Sequence, residues 1–360
     1  MKKREMFWLF LALATLVLRW VAHPAFIERF YSRGWFQGIR VLIDFGLGWM
    51  PIPLIYLFFG GLIWYWVRTW RRRPRNRKLL VTGLRTGSRV LSGISMLIVG
   101  FFWLWGFNYG RTQVEKTLDL DTHPLTPDEI ESEMRTTALE MAARRAAIPN
   151  VGEDALTREN FPQHLETHLR DGLEKVLSRY QYPVMGRVRA RLLYPKGIFL
   201  RFSSSGLYFP YTGQGHIDAG LNAIQWPYTM SHEMAHGYGF GDEGVCNFWA
   251  YLACALDDDP AVSYSGQLAY YRSLAANFLS YKPDAYRAFR DSLPQGIQAD
   301  LDAINQNLLD YPDIMPRARD AAYTAYLKAQ GIREGMLNYN RVLMLVKAWK
   351  EKEQIRNIME

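Results

Sequence analysis

Cysteine is scarce in this 360-residue sequence, and acidic residues are nearly absent from its first third. The two cysteines cannot form a disulfide framework or a zinc site built from cysteines alone. Charged residues make up only 22% of the chain, whereas aromatic residues make up 14%. This apolar content excludes a disordered chain and is sufficient for a hydrophobic core.

The formal net charge of +8 is distributed unevenly along the chain. Residues 1–110 contain 16 Lys/Arg and 3 Asp/Glu, whereas residues 111–360 contain 27 Lys/Arg and 32 Asp/Glu. The excess positive charge therefore lies in the most apolar part of the sequence. This pattern favours membrane lipid as a partner and argues against nucleic acid.

Three apolar stretches in residues 1–110 have the length and composition of transmembrane helices. They cover residues 6–22, 49–67 and 90–107. No small-residue cleavage site follows the first stretch, so we interpret it as an uncleaved helix and not a signal peptide. Residues 27–48, which lie between the first two stretches, are amphipathic and are predicted to lie at the outer interface or to re-enter the membrane.

The basic residues that flank these stretches predict the orientation in the membrane. Lys2, Lys3 and Arg4 precede the first stretch, and residues 68–78 carry seven positive charges and no negative charge. Because basic loops stay on the cytoplasmic side, the N-terminus is predicted to be cytoplasmic. Residues 111–360 are then predicted to form an extracytoplasmic domain.

This second domain is predicted to be mainly α with a small β-sheet. Thr126-Pro127-Asp128-Glu129 is typical of a helix start, and the helix is predicted to run to residue 147. Further helices are predicted over residues 162–180, 225–237 and 243–257, and between the breaks near Pro260, Pro283, Pro294, Pro312 and Gly331. The β-rich runs are residues 188–193 and 198–202.

The segment His232-Glu233-Met234-Ala235-His236 carries the clearest chemical signal. In a helix its two histidines lie one turn apart on the same face, where both imidazoles can bind a single Zn²⁺ ion. Glu233 lies beside that face, where it can take a proton from a water on the metal and pass it to a leaving amine. The segment therefore predicts a zinc metallopeptidase with Glu233 as the general base.

The third metal ligand is predicted to be Glu243 or Asp242. Gly237, Gly239 and Gly241 indicate a tight turn that returns the chain towards the metal. Asp242 has the spacing of the third metzincin ligand, and residues 313–316 are the one weak candidate for the Met-turn of that group. Glu243 is favoured as the third ligand. Both acids also suit the common structural roles of helix N-cap and first-turn acid.

Four other residues also receive predictions. Tyr264 is a candidate catalytic residue that would stabilise an oxyanion. His216 is predicted to lie on an edge strand above the metal, where a substrate peptide can align. Cys246 and Cys254 lie eight residues apart on one predicted helix, too far apart for a disulfide, and are predicted to be buried.

Several groups of residues resemble a family of bacterial membrane proteins of unassigned function, with a short transmembrane N-terminus and a zincin-like C-terminal domain. These groups are residues 209–213, 231–240, 243–253, 264–266 and 326–339. The resemblance implies a multi-pass protein of the bacterial cell membrane. The spacing Glu243-x-x-x-Asn247 is also similar to the zinc-binding helix of integral-membrane gluzincins, which implies that Glu243 binds zinc and Asn247 orients a histidine. The chain departs from the family pattern at Val245 and Gln214, where acids are expected.

Two functions remain open at this point. The first is a membrane-anchored zinc metallopeptidase that hydrolyses a peptide or protein substrate outside the cytoplasm. The second is a non-catalytic membrane protein whose metal site is structural or vestigial and which binds a partner. Glu233 favours the first, since a purely structural zinc site has no use for an acid between two ligands.

Overall fold

The computed structural model describes residues 2–71, 79–332 and 340–359. The chain divides into two compact units. The first unit contains Met1–Thr112 with the short segments Met185–Arg187 and Phe209–Gln214, and the second contains Gln113–Val184, Val188–Tyr208 and Gly215–Glu360. Two short segments that are distant in sequence therefore belong to the apolar unit.

The described part of the first unit is helical. Its α-helices are α1 (Lys3–Val21), α2 (Pro24–Phe26), α3 (Phe36–Gly46), α4 (Leu54–Arg71) and α5 (Leu79–Leu104). A π-helix, Ile27–Trp35, precedes α3, and a 3₁₀-helix, Gly106–Gly110, follows α5.

One or two of these helices could cross a membrane by length and composition. Thr86–Leu104, within α5, meets both criteria alone, and Lys3–Val21 meets them together with Pro24–Gly46, from which it is bent by 111°. The predicted span 49–67 is shorter than expected, since its apolar helix is Leu54–Thr69. Of the basic run, residues 72–78 lie outside the described residues.

Two charged residues of the amphipathic segment 27–48 are buried. Arg40 and Asp44 form a buried ion pair with a closest nitrogen–oxygen distance of 2.6 Å. Arg40 also donates to the carbonyl of Gly213 (2.6 Å), and Asp44 accepts from the backbone nitrogen of Arg187 (2.8 Å). A buried charge is costly unless it is paired or hydrogen-bonded, and these bonds satisfy both charges. They also connect the two short segments, through Gly213 and Arg187, to α3.

The described part of the second unit is mainly helical with a three-stranded sheet. Its first helices are α6 (Val114–Leu118), α7 (Pro127–Ala146) and α8 (Leu165–Arg179). The sheet strands are β1 (Ala190–Leu193), β2 (Gly206–Phe209) and β3 (Gln214–Asp218). The remaining helices are α9 (Trp226–Gly237), α10 (Glu243–Ala255), α11 (Pro260–Tyr281), α12 (Pro283–Asp291), α13 (Gln295–Asp310), α14 (Pro316–Ala329) and α15 (Arg341–Met359).

The predicted helix starts and breaks are confirmed where capping residues specify them. Thr126 caps α7, since its hydroxyl accepts from the backbone nitrogen of Glu129 while the Glu129 carboxylate accepts from the backbone nitrogen of Thr126. This reciprocal capping box satisfies two backbone donors that a helix start leaves free. Pro260 and Pro283 each begin a helix.

The sheet differs from the prediction at two places. The run 198–202 is not a strand, because the Asp218 carboxylate accepts from the backbone nitrogens of Gly197, Phe199 and Leu200 and turns the chain into a 3₁₀-helix. The strand order is β1-β3-β2, with β1 and β3 parallel. His216 lies on β3 and therefore on the central strand of this sheet, so the prediction of an edge strand is wrong.

Helix α10 is the centre of the hydrophobic core. Every residue from Glu243 to Ala255 is buried, and the helix packs against α8, α9, α11 and α15. Cys246 and Cys254 lie within it as free, buried side chains, as predicted. Because the whole helix is closely packed, it holds any functional group at its first residues in a fixed position.

A buried ionic network fixes α7 and α13 around this core. Asp300 is fully buried and accepts from Arg145 Nε (2.8 Å), from the Tyr264 hydroxyl (2.7 Å) and from the backbone nitrogen of Leu156 (2.7 Å). Its partner Arg145 also donates to the carbonyls of Gly152 and Asp154. Each buried charge in the network thus has an opposite charge or several hydrogen bonds.

We expect Asp300→Ala to destabilise the protein by about 3–5 kcal/mol, because it leaves Arg145 charged, buried and without its carboxylate. Asp302→Ala is the matched control, since Asp302 pairs with Arg290 at the surface and should cost less than ~1 kcal/mol. Thermal unfolding of the purified protein measures both changes. Equal midpoints for the two variants would contradict the assignment.

Candidate metal centre

Three potential ligand atoms converge between α9 and α10. His232 Nε2 lies 3.1 Å from His236 Nε2 and 3.1 Å from Glu243 Oε2, and His236 Nε2 lies 3.3 Å from the same carboxylate oxygen. All three side chains are buried. Among the described residues, no other group of His, Cys, Asp and Glu side chains has the proximity required for a metal ion.

The other nitrogen of each imidazole is held by a hydrogen-bond acceptor. His232 Nδ1 donates to Asn247 Oδ1 (2.8 Å), and His236 Nδ1 donates to the carbonyl of Phe240 (2.8 Å). Because Nδ1 carries the proton in each ring, the lone pair lies on Nε2 and faces the other ligands. Phe240 lies in the turn after α9, and Asn247 lies on α10. Both helices and the turn between them therefore help to position the two imidazole rings.

The geometry separates the two candidates for the third ligand. Glu243 directs Oε2 at both histidines, and its Oε1 accepts from the hydroxyl of Tyr323 (2.8 Å). Asp242 instead caps α10, where it accepts from the backbone nitrogen of Val245 (2.9 Å), and forms an ion pair with Arg341. Glu243 is therefore placed in the cluster, whereas Asp242 takes the common role of N-cap.

Glu233 is buried on α9 between the histidines and faces the sheet. A Cβ atom at Gly206 would lie 2.6 Å from Glu233 Oε1, and one at Gly215 would lie 2.7 Å from Glu233 Cβ. The space for this carboxylate thus depends on two glycines of β2 and β3. Glu233 Oε2 has no hydrogen-bond partner among the described residues. Burial raises the pKa of Glu233 to about 7, against the opposing effect of His232 and His236.

Three other residues named in the sequence analysis are not members of the ligand cluster. Tyr264 is fully buried on α11 and donates to Asp300, so it is held in the core network, and its role as a catalytic group stays a prediction. Met315 is exposed before α14, which removes the Met-turn candidate. His216 is fully buried on the central strand, and burial lowers its pKa to about 4.

Sequence reasoning missed Tyr323, Gly206 and Gly215. Tyr323 lies 80 residues after the acid that it contacts, and no local spacing connects them. The two glycines belong to a segment rich in Gly, Ser and Tyr, but that composition does not say which glycine faces Glu233.

Residues 31–347 match the model of the family described as "Protein of unknown function (DUF3810)". The match includes the candidate ligands and Glu233. A search of curated proteins and a search of solved structures found no match.

We expect Glu243→Gln to lower the zinc content of the purified protein strongly, whereas Asp242→Asn keeps it. A neutral amide is a poor zinc ligand, and Asn remains a good N-cap. Elemental analysis after removal of loosely bound metal measures both variants. Loss of zinc in Asp242→Asn with retention in Glu243→Gln would reverse the assignment.

We expect Gly215→Ala to destabilise the protein by about 1–3 kcal/mol, because its methyl group forces Glu233 and β3 apart. Gly152→Ala serves as the control, since a Cβ atom there would meet no described atom within 4 Å. Thermal unfolding of both variants provides the comparison. A Gly215→Ala variant as stable as the control would show that the close approach at β3 is absent.

Proposed function

The chain belongs to the family described as "Protein of unknown function (DUF3810)", and we propose that it is a membrane-anchored zinc metallopeptidase that hydrolyses peptide bonds outside the cytoplasm. One observation carries the proposal. His232, His236 and Glu243 direct ligand atoms at one point, and the buried carboxylate of Glu233 lies on the same helix as the histidines.

The donor set fits zinc better than other common divalent ions. Two imidazole nitrogens and one carboxylate oxygen are the protein ligands of many catalytic zinc sites, which keep a further position open. Magnesium and calcium prefer sites made of oxygen ligands. The Nδ1 contacts of both rings support the fit, because zinc-bound histidines usually donate their other nitrogen to an acceptor.

The residues of the site have separate roles in the proposed reaction. When bound, zinc supplies a Lewis acid that polarises a carbonyl and lowers the pKa of water. His232, His236 and Glu243 would hold the ion. Glu233 accepts the proton of the attacking water and transfers it to the nitrogen of the leaving amine. Burial favours this role, because it keeps the carboxylate away from competing solvent.

The proposed location follows from the apolar N-terminal third. One or two helices in it are apolar enough to cross a membrane, and membrane lipid is then a partner of this part of the chain. The basic residues Lys2, Lys3 and Arg4 and the run 68–78 support a cytoplasmic N-terminus. A peptide or protein is the substrate in this account.

A second candidate is a non-catalytic membrane protein with a structural or vestigial metal site that binds a partner. The burial of all three ligands favours it, since burial limits the access of a substrate to the site. The two candidates differ in what Glu233 contributes, because a structural site does not require this carboxylate.

We expect Glu233→Gln to keep bound zinc and to lower peptide cleavage at least ~100-fold, because the amide cannot accept the proton. The assay uses the full-length protein in detergent with a peptide library, with and without a chelator. Glu131→Gln is the control, since Glu131 pairs with Lys282 on the surface. Full activity of Glu233→Gln would refute the mechanism, and a zinc-loaded wild type that cleaves no peptide would favour the second candidate.

A further inference from the structure

Tyr323 contacts the candidate centre from a distant part of the chain. Its hydroxyl donates to Glu243 Oε1 at 2.8 Å, while Glu243 Oε2 faces the two histidines. We propose that Tyr323 is a positioning residue, which occupies one carboxylate oxygen so that the other alone serves as the metal ligand. The inference rests on the proposed function, since it requires a metal at this cluster.

The carboxylate of Glu243 has two equivalent oxygens, so its orientation needs an external contact. Glu243 is the first residue of α10, and its backbone is fixed by the buried helix. Backbone position leaves the rotation of the side chain undetermined, and a hydrogen bond to Oε1 selects one orientation. The histidines receive the same kind of support from Asn247 and Phe240. Such outer contacts fix ligand geometry and typically change metal affinity 10–100-fold when they are removed.

The helix that carries Tyr323 is lightly packed. Leu327 is the one buried residue that the structure describes on α14, and most of the other residues are exposed. Polar contacts hold the start of the helix, where Arg319 donates to the carbonyl of Phe202 and the backbone nitrogen of Ile314 donates to that of Arg201. The bond from Tyr323 to Glu243 therefore links a lightly held surface helix to a buried ligand.

This link makes metal binding and the docking of α14 mutually dependent. If the docked helix orients Glu243 for the metal, it raises metal affinity. By thermodynamic reciprocity, bound metal then stabilises the docked helix by the same free energy. Exchange of the backbone amides of residues 316–329 should consequently slow when metal binds.

Tyr326 offers a matched control on the same helix. Its ring stacks on that of Tyr323, with centroids 5.9 Å apart and an angle of 23° between the planes. Tyr323→Phe and Tyr326→Phe each remove one hydroxyl from adjacent positions of this stack. The proposal assigns an effect on the metal to the first change alone.

The test measures zinc affinity of the full-length protein in detergent by competition with a chromophoric chelator. We expect Tyr323→Phe to bind Zn²⁺ about 10–100-fold more weakly than wild type, with Tyr326→Phe unchanged. Substituted Co²⁺ reports the geometry independently of activity, and its visible spectrum should change in Tyr323→Phe alone. Hydrogen exchange is measured on the same samples, where zinc should protect residues 316–329 in wild type and in Tyr326→Phe but not in Tyr323→Phe.

Other outcomes overturn the proposal in distinguishable ways. If Tyr323→Phe lowers the unfolding midpoint of the metal-free protein but binds zinc as tightly as wild type, Tyr323 is structural and the inference fails alone. Zinc binding to wild type without protection of residues 316–329 also overturns it, whatever the variant does. Absence of zinc binding in wild type removes the proposed function together with this inference.

Discussion

Hydrogen bonds that the Nδ1 atoms of His232 and His236 donate are the contacts on which the candidate centre depends. A histidine side chain can rotate and can exchange its two nitrogens as donor and acceptor. Asn247 and the carbonyl of Phe240 remove this freedom by accepting one hydrogen bond from each ring. Both Nε2 atoms then point to the same place, and α10 brings Glu243 to it. Without these two acceptors, the spacing of the histidines along α9 would not by itself produce a ligand set.

The same arrangement is electrostatically demanding in the absence of a cation. Two imidazole nitrogens and a carboxylate oxygen lie within about 3 Å of each other in a buried region, where charges and lone pairs are costly to leave uncompensated. Burial alone would raise the pKa of Glu243, but the neighbouring histidines lower it well below its usual value. A divalent cation would compensate the carboxylate and both lone pairs at once. This compensation supports the proposal that the cluster is a ligand set.

Local sequence rules predicted the parts of the structure that depend on neighbours in the chain. The helix start at Thr126, the prolines that begin α11 and α12, and the helical spacing of the two histidines are of this kind. The predictions that failed concern parts of the structure that depend on contacts between residues distant in sequence. Asp218 converts the β-rich run 198–202 into a 3₁₀-helix by accepting three backbone hydrogen bonds. Tyr323 was missed for the same reason, since its partner lies 80 residues away.

X-ray absorption at the zinc edge of the full-length protein tests the central claim most directly. Cys246 makes the measurement informative, because its sulfur lies 3.3 Å from His236 Nδ1 and is a different type of ligand atom. The account predicts a first shell of nitrogen and oxygen atoms at about 2.0–2.1 Å, with the outer-shell scattering of two imidazole rings. A sulfur contribution near ~2.3 Å, or a shell without imidazole scattering, would contradict it.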